Sequence, residues 1–181
     1  MNKKIITYLN NRSIVLVGMM GVGKTTIGKN LAKELNLPFY DSDNEIEKNV
    51  GKKVNEIFKN YGEIFFRNKE LIFFNEKINA RSRQCIISSG GGSFINDNIQ
   101  KKIKKNCISI WLKANKKTLE RRLKNKKNRP LLNVNNFDET LSLLLKERNV
   151  IYGKADITIT IDKLNETKVL QAIIKSLENL K

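Results

Sequence analysis

Short apolar runs of strand length alternate with longer stretches in which apolar residues recur at helical spacing. The runs are SIVLV (13–17), PFYD (38–41), CIISS (85–89), CISIWL (107–112) and DITIT (156–160). Between them the spacing predicts helices over 24–35, 43–50, 54–61, 64–80, 96–105, 117–124, 137–152 and 166–180. In one of these, Leu141, Leu144, Leu145 and Arg148 recur along a single stretch at that spacing. Such alternation is the signature of β-α-β units around a parallel sheet, so an α/β fold with about five parallel strands is expected. One segment breaks the pattern. KNKKNRPLLNVNNF, residues 124–137, is polar, Asn-rich and contains Pro130. A loop of that length inside a compact domain is usually functional, which predicts a mobile lid over approximately 124–137. No internal repeat or linker divides residues 1–181, so a single domain is expected.

Length and composition narrow the classes. A chain of 181 residues with a 40% apolar share can bury one sizeable core. No uninterrupted apolar stretch approaches the roughly eighteen residues needed to cross a bilayer, which predicts a soluble protein with no membrane partner; without a transit-like leader, a cytoplasmic location is expected. The start, MNKKIITYLNNRSIVLVGMM, imitates a secretory signal with its lysines and later apolar run. No small-residue cleavage site follows, and the run reads better as a first strand. The formal charge of +17 raises the possibility of a nucleic-acid partner. Lysine is spread along the whole chain with Asn and Ile, however, and stretches such as KKIKKN and KNKKN fall between elements as solvated charge. With no aromatic-interleaved basic motif, no nucleic-acid partner is expected, although the field would still attract anionic small molecules.

Missing residues exclude chemistry. The chain has no histidine, which removes Ser-His-Asp triads, Cys-His pairs and His-ligated metal sites. Cys85 and Cys107 are too few for a four-thiolate zinc site and lack C-x-x-C spacing. Each lies in or beside an apolar run and reads as a small buried hydrophobe in a reducing compartment.

The first strand leads directly into GMMGVGKTT, in which Gly18, Gly23, Lys24 and Thr25 fill the pattern G-x-x-x-x-G-K-[ST]. Glycines let successive N–H groups turn inward, and the following helix adds its positive N-terminal dipole, so the loop forms a cradle for phosphates. Gly21, Val22, Gly23, Lys24, Thr25 and Thr26 are therefore the expected nucleotide contacts. Lys24 would reach the β- and γ-phosphates and the Thr25 hydroxyl would ligate Mg²⁺. Sequences of the N-K-x-D kind that read a guanine base are absent, and the chain is small for a motor. A small-molecule kinase remains.

An acceptor would sit at the carboxyl ends of the neighbouring strands. The second strand ends in DSD, with Asp41 and Asp43; the third ends in SSGGGSF, with Gly90, Gly91 and Gly92; GEIFFR on the intervening helix supplies Arg67. The two aspartates could split between Mg²⁺ and substrate hydroxyls, or Asp43 could simply cap the helix next to it. The glycine triplet could bring N–H groups to an anion or be a plain turn. Arg67 could grip a carboxylate, or pair with Glu63 and Glu70 on its own helix.

These stretches, together with NRPLL and ERNVIYGKAD, occur in an order that resembles the shikimate kinase family over essentially the whole chain. The resemblance implies a three-layer α/β/α P-loop kinase fold. It also implies an enzyme that uses ATP and Mg²⁺ to phosphorylate the 3-hydroxyl of shikimate in the chorismate route to aromatic amino acids. On matching residues, Asp43 would bind substrate hydroxyls and act as candidate base. Arg67 and Arg148 would grip the shikimate carboxylate, with Glu70 orienting Arg67. The Gly90–Gly92 backbone would line the pocket, Phe58 and Phe66 would form its apolar wall, and Asp41 would join Thr25 at the metal. Arg129, in NRPLL, would stabilise the transferring phosphoryl, and Arg122 would flank adenine. Two departures stand out: GKTT replaces the common GKST, and TIDKLNETK after the last strand lacks the proline often found near adenine. A gluconate or nucleoside-phosphate kinase and a nucleic-acid-associated nucleotide binder are the rival readings. The working unit is expected to be a monomer.

Overall fold

The computed structural model describes residues 9–79, 83–124 and 136–180. Arg129 and most of the expected lid lie outside the described residues. Five strands form one sheet, β1 (Ser13–Val17), β2 (Phe39–Asp41), β3 (Ile86–Ser88), β4 (Cys107–Lys113) and β5 (Ile157–Thr160), in the order β2-β3-β1-β4-β5. All four pairings are parallel, with Val15 of β1 opposite Ile87 on one side and Ser109 on the other. Every residue of β1 is buried, as a central strand requires when both faces of its sheet are covered. At the edge, β5 alternates, with Ile157 and Ile159 buried and Thr158 and Thr160 exposed.

The flanking helices are α1 (Lys24–Leu35), α2 (Ser42–Val50), α3 (Val54–Lys77), α4 (Asp97–Asn106), α5 (Lys116–Leu123), α6 (Phe137–Tyr152) and α7 (Glu166–Glu178), with a 3₁₀ turn at Ser93–Ile95. Asparagine side chains cap several of them; Asn96, Asn115 and Asn165 each accept a backbone N–H from the first turn. The spacing predicts separate helices over 54–61 and 64–80, and α3 is indeed two helical stretches that meet at a kink between them. Its backbone departs from helical geometry at Gly62, with φ 79° and ψ 172°. The expected break is therefore a kink, placed where a glycine accepts the positive φ.

Two apolar cores result. The larger packs the sheet against its helices, with Leu16, Leu31, Phe74, Phe94 and Tyr152 wholly or nearly wholly buried. The smaller joins α2 to the first half of α3 through Ile46, Ile57 and Phe66. It is tied further by Glu47, which accepts from the Val54 N–H at 2.9 Å and the Lys53 ammonium at 2.9 Å. Cys85 and Cys107 are free and buried, in keeping with their reading as small hydrophobes. Burial pushes the Cys107 thiol from its ordinary 9.0 up to about 12. Among the described residues no helix is long and apolar enough to cross a membrane.

The order of the strands locates the binding crevice. From β1, one route leads through α1 to β2 beyond β3, and the later strands β4 and β5 lie on the other side. The carboxyl end of β1 is thus the switch point of the sheet, where open α/β folds bind their ligands.

Candidate active site

The crevice begins with the loop between Val17 and Lys24. Gly18, Gly21 and Gly23 all hold positive φ, and α1 starts immediately after the last of them. Lys24, only 8% exposed, folds back across the loop, its ammonium donating to the carbonyls of Gly18 at 2.8 Å and Met19 at 3.0 Å. Arg122 crosses from α5 to brace the same loop, donating to the Val22 carbonyl at 3.0 Å. It also borders a recess of about 440 Å³ whose far wall is Ile161, Leu164, Asn165 and Glu166. This is the region where the expected proline is missing; Asn165 and Glu166 begin α7 there instead.

On the inner side of the loop, the Thr25 hydroxyl donates to Asp41 Oδ2 at 2.6 Å, with the Ser88 hydroxyl 3.5 Å away. The other Asp41 oxygen accepts the Asn44 N–H at 3.3 Å and caps α2. The capping role open to Asp43 therefore falls to Asp41, because α2 begins at Ser42. Asp43 sits in the first turn, where its side chain is directed to Gly90 rather than to the helix end. The donors at Thr25, Asp41 and Ser88 are all hard oxygens, the set that suits Mg²⁺. Among the described residues no three acidic or thiol side chains converge on a metal position, so such an ion would draw its remaining ligands from phosphate oxygens and water.

The second half of the crevice is a recess walled by Phe58 and Phe66, whose rings lie 5.0 Å apart at 46°, and floored by the glycine triplet. Two guanidinium groups reach it. Arg67 makes both of the pairs anticipated on its helix, to Glu70 at 2.6 Å and Glu63 at 2.8 Å, and still faces the recess. Burial works against its charge, but the two carboxylates outweigh that effect and hold its pKa above the ordinary value. Glu70 is wholly buried; its second oxygen accepts the Ser93 hydroxyl at 2.5 Å. Arg148 enters from α6 and donates to the Gly91 carbonyl at 3.2 Å, an acceptor it shares with the Tyr152 hydroxyl.

The triplet does not present three free N–H groups, because the Gly90 N–H is taken by the Ser42 hydroxyl at 2.8 Å. Glycine is required there for close approach. A Cβ on Gly92 would stand 2.6 Å from both terminal nitrogens of Arg67, and one on Gly90 would stand 2.7 Å from Asp43 Oδ1 and 2.8 Å from Glu70 Oε1. Of the expected site residues that are described, the structure brings Lys24, Thr25, Asp41, Asp43, Phe58, Phe66, Arg67, Gly90–Gly92 and Arg148 to one crevice, and the sequence does not single out the groups that brace them: Ser42, Ser93, Tyr152 and Glu47. Ser42 and Ser93 had a faint signal, flanking the DSD aspartates and the GGG run, but hydroxyls in such loops are common. Tyr152 ends the helix expected over 137–152, and nothing in its spacing marks its hydroxyl.

The two halves meet. The phosphate loop opens into a chamber of about 550 Å³ lined in part by Thr25, Asp41 and Ser88, and this chamber shares Met20, Asp43, Val54 and Gly91 with the arginine recess. Asp43 thus stands on the boundary between the chamber at the glycine loop and the recess that Arg67, Arg148, Phe58 and Phe66 line.

Comparison with known proteins gives this geometry a context. A shikimate kinase of Bartonella henselae is 44% identical over 176 residues, covering 97% of this chain and 83% of its own length. The solved structure of a shikimate kinase from Acinetobacter baumannii in complex with shikimate superposes with a TM-score of 0.88 at 33% identity, covering 98% of this chain and 99% of that one. A gluconokinase from Sinorhizobium meliloti shares the fold, with a TM-score of 0.60 at 16% identity over 94% of this chain and 93% of its own. At that identity the likeness is one of fold alone. The model of the shikimate kinase family matches residues 20–178, the span holding every described side chain of the crevice, and the chain belongs to that family.

Proposed function

We propose that this enzyme transfers the γ-phosphoryl of ATP to the 3-hydroxyl of shikimate, giving shikimate 3-phosphate and ADP in the route to aromatic amino acids. The observation that carries this reading is the position of Asp43, on the wall shared by the phosphate chamber and the recess flanked by Arg67 and Arg148. A ring held by its carboxylate on the two arginines, with Phe58 and Phe66 against its apolar face, turns its hydroxyls toward Asp43. Asp43 accepts a hydrogen bond from the attacking hydroxyl and takes its proton as the new bond forms.

Phosphoryl transfer requires little covalent assistance from protein, and the barrier falls mainly through alignment and through cations placed on the equatorial oxygens. Lys24 is poised for that task, since its ammonium already lies over the loop. When ATP enters, the ammonium exchanges its carbonyl contacts for phosphate oxygens. Backbone N–H groups of Gly21–Thr26 and the α1 dipole hold the rest of the triphosphate. Thr25 and Asp41 would hold Mg²⁺, which would supply neutralisation of the phosphate charge. The recess beside Arg122, Ile161 and Asn165 takes the nucleoside, with the guanidinium flanking the base. Arg129, outside the described residues, is assigned to the transferring phosphoryl from its NRPLL context alone.

A coupled assay of ADP release, run with magnesium ATP and either shikimate or gluconate, tests the proposal. Turnover is expected with shikimate only. Turnover with gluconate alone would overturn the acceptor assignment, and steep salt-dependent RNA binding without either turnover would replace the kinase reading altogether.

A further inference from the structure

We propose that Tyr152 is a positioning residue for the acceptor, setting the grip of Arg148 through the one carbonyl they both contact; this rests on shikimate being the acceptor. The two residues are one helical turn apart on α6, and both donate to the Gly91 oxygen. A carbonyl oxygen offers two lone pairs, so the two donors can be held together without competing.

Their attachments differ. Tyr152 is wholly buried, its ring 6.0 Å from that of Trp111 in the main core. Arg148 is only half-buried, at the end of a long flexible stem. The phenol is therefore the rigid partner and fixes the Gly91 oxygen, which in turn fixes one nitrogen of Arg148. Arg148 also hydrogen-bonds the Tyr152 hydroxyl directly, and its side chain lines the recess. Burial keeps the hydroxyl in its donor form, raising it from 10.0 to about 12, although Arg148 and Arg67 pull the other way. Gly91 also lines both halves of the crevice, so a shift of its carbonyl reaches the place where acceptor and phosphate meet.

Without the hydroxyl, the Gly91 oxygen has Arg148 as its remaining side-chain donor. The guanidinium is then drawn to a buried acceptor at the expense of the substrate carboxylate. Tyr152→Phe keeps the ring and removes only the donor. It should raise the KM for shikimate about tenfold, the worth of roughly one hydrogen bond, while kcat and the KM for ATP change less than about twofold. In an Arg148→Ala background, where the proposed route is already cut, Tyr152→Phe should add little.

Steady-state kinetics on the wild type, both single variants and the double variant decide the matter, with thermal melts run alongside. Non-additivity in the KM for shikimate, with ATP unaffected, supports the positioning role. An unchanged KM in Tyr152→Phe overturns it. So do full additivity with Arg148→Ala, an equal rise in both KM values, or loss of a cooperative melt, since each assigns the hydroxyl to the fold alone. A wild type that never phosphorylates shikimate would instead sink the functional reading.

Discussion

Arg67 has two tasks in this structure, and they can be separated. Its guanidinium is expected to hold the acceptor carboxylate, and it also neutralises Glu70, a carboxylate with no exposed surface, at 2.6 Å. Arg67→Ala removes both. Loss of a charge-assisted bond to substrate corresponds to about 1.5–3 kcal/mol, so the KM for shikimate should rise roughly 10- to 150-fold with kcat far less affected. Loss of the partner leaves Glu70 buried beside the Ser93 hydroxyl, a neutral donor in place of a cation. Breaking a buried pair on one side costs about 3–5 kcal/mol. The exposed pair to Glu63 adds little. Adding Glu70→Gln to Arg67→Ala removes the stranded charge, so most of the lost stability should return while the KM stays high. Urea unfolding gives the stability, and coupled ADP release gives the KM. If Glu70→Gln restored the KM as well, or if Arg67→Ala left it unchanged, the carboxylate grip would belong to another residue.

Lys24→Ala should lower turnover by at least about a thousandfold, as expected for loss of a preorganised cation at the transferring group, with an unaltered circular dichroism spectrum. Ser93→Ala deprives Glu70 of a hydroxyl donor and should cost about 1–3 kcal/mol in urea unfolding with a severalfold rise in the KM for shikimate; a neutral result would mean that Arg67 alone satisfies Glu70. Arg129→Ala should reduce kcat with little change in either KM, and an unaltered rate would remove it from the phosphoryl site. Tyr152 and Cys107 are both held neutral, each pushed up to about 12 from ordinary values of 10.0 and 9.0. A raised acid contributes its stability below its unfolded pKa, and that contribution is lost as pH climbs toward the folded value. Melting temperature should therefore fall between about pH 9 and 12, and Tyr152→Phe should flatten the fall.

The sheet was legible because its signals are local and agree with one another. Apolar strands ending in GVGKTT, DSD and SSGGGSF put a phosphate loop, two aspartates and a glycine triplet at the carboxyl ends of β1, β2 and β3. A parallel sheet brings those ends together whatever the intervening helices do. The aspartates and glycines that face the crevice were legible for the same reason, whereas Arg67 had a structural use as well, and the structure shows it paired with Glu63 and Glu70. What could not be read was the division of labour among side chains that meet only in three dimensions. Asp41 rather than Asp43 caps α2, a shift of two residues in the cap that no propensity resolves and that leaves Asp43 at the boundary of the two chambers. The glycine triplet looked like a nest of N–H groups, yet its bare Cα positions serve the packing of Arg67, Asp43 and Glu70 against backbone. Ser42, Ser93 and Tyr152 come from three different elements and converge on the same few atoms of that triplet and its neighbour Glu70. Their spacing in the chain carries no period that would announce it. The crevice is thus specified twice over. Motifs at strand ends place the residues that face the crevice, and hydroxyls from three separate elements hold the backbone and carboxylate between them, which is why a variant that removes a single hydroxyl, such as Tyr152→Phe, is expected to weaken acceptor binding.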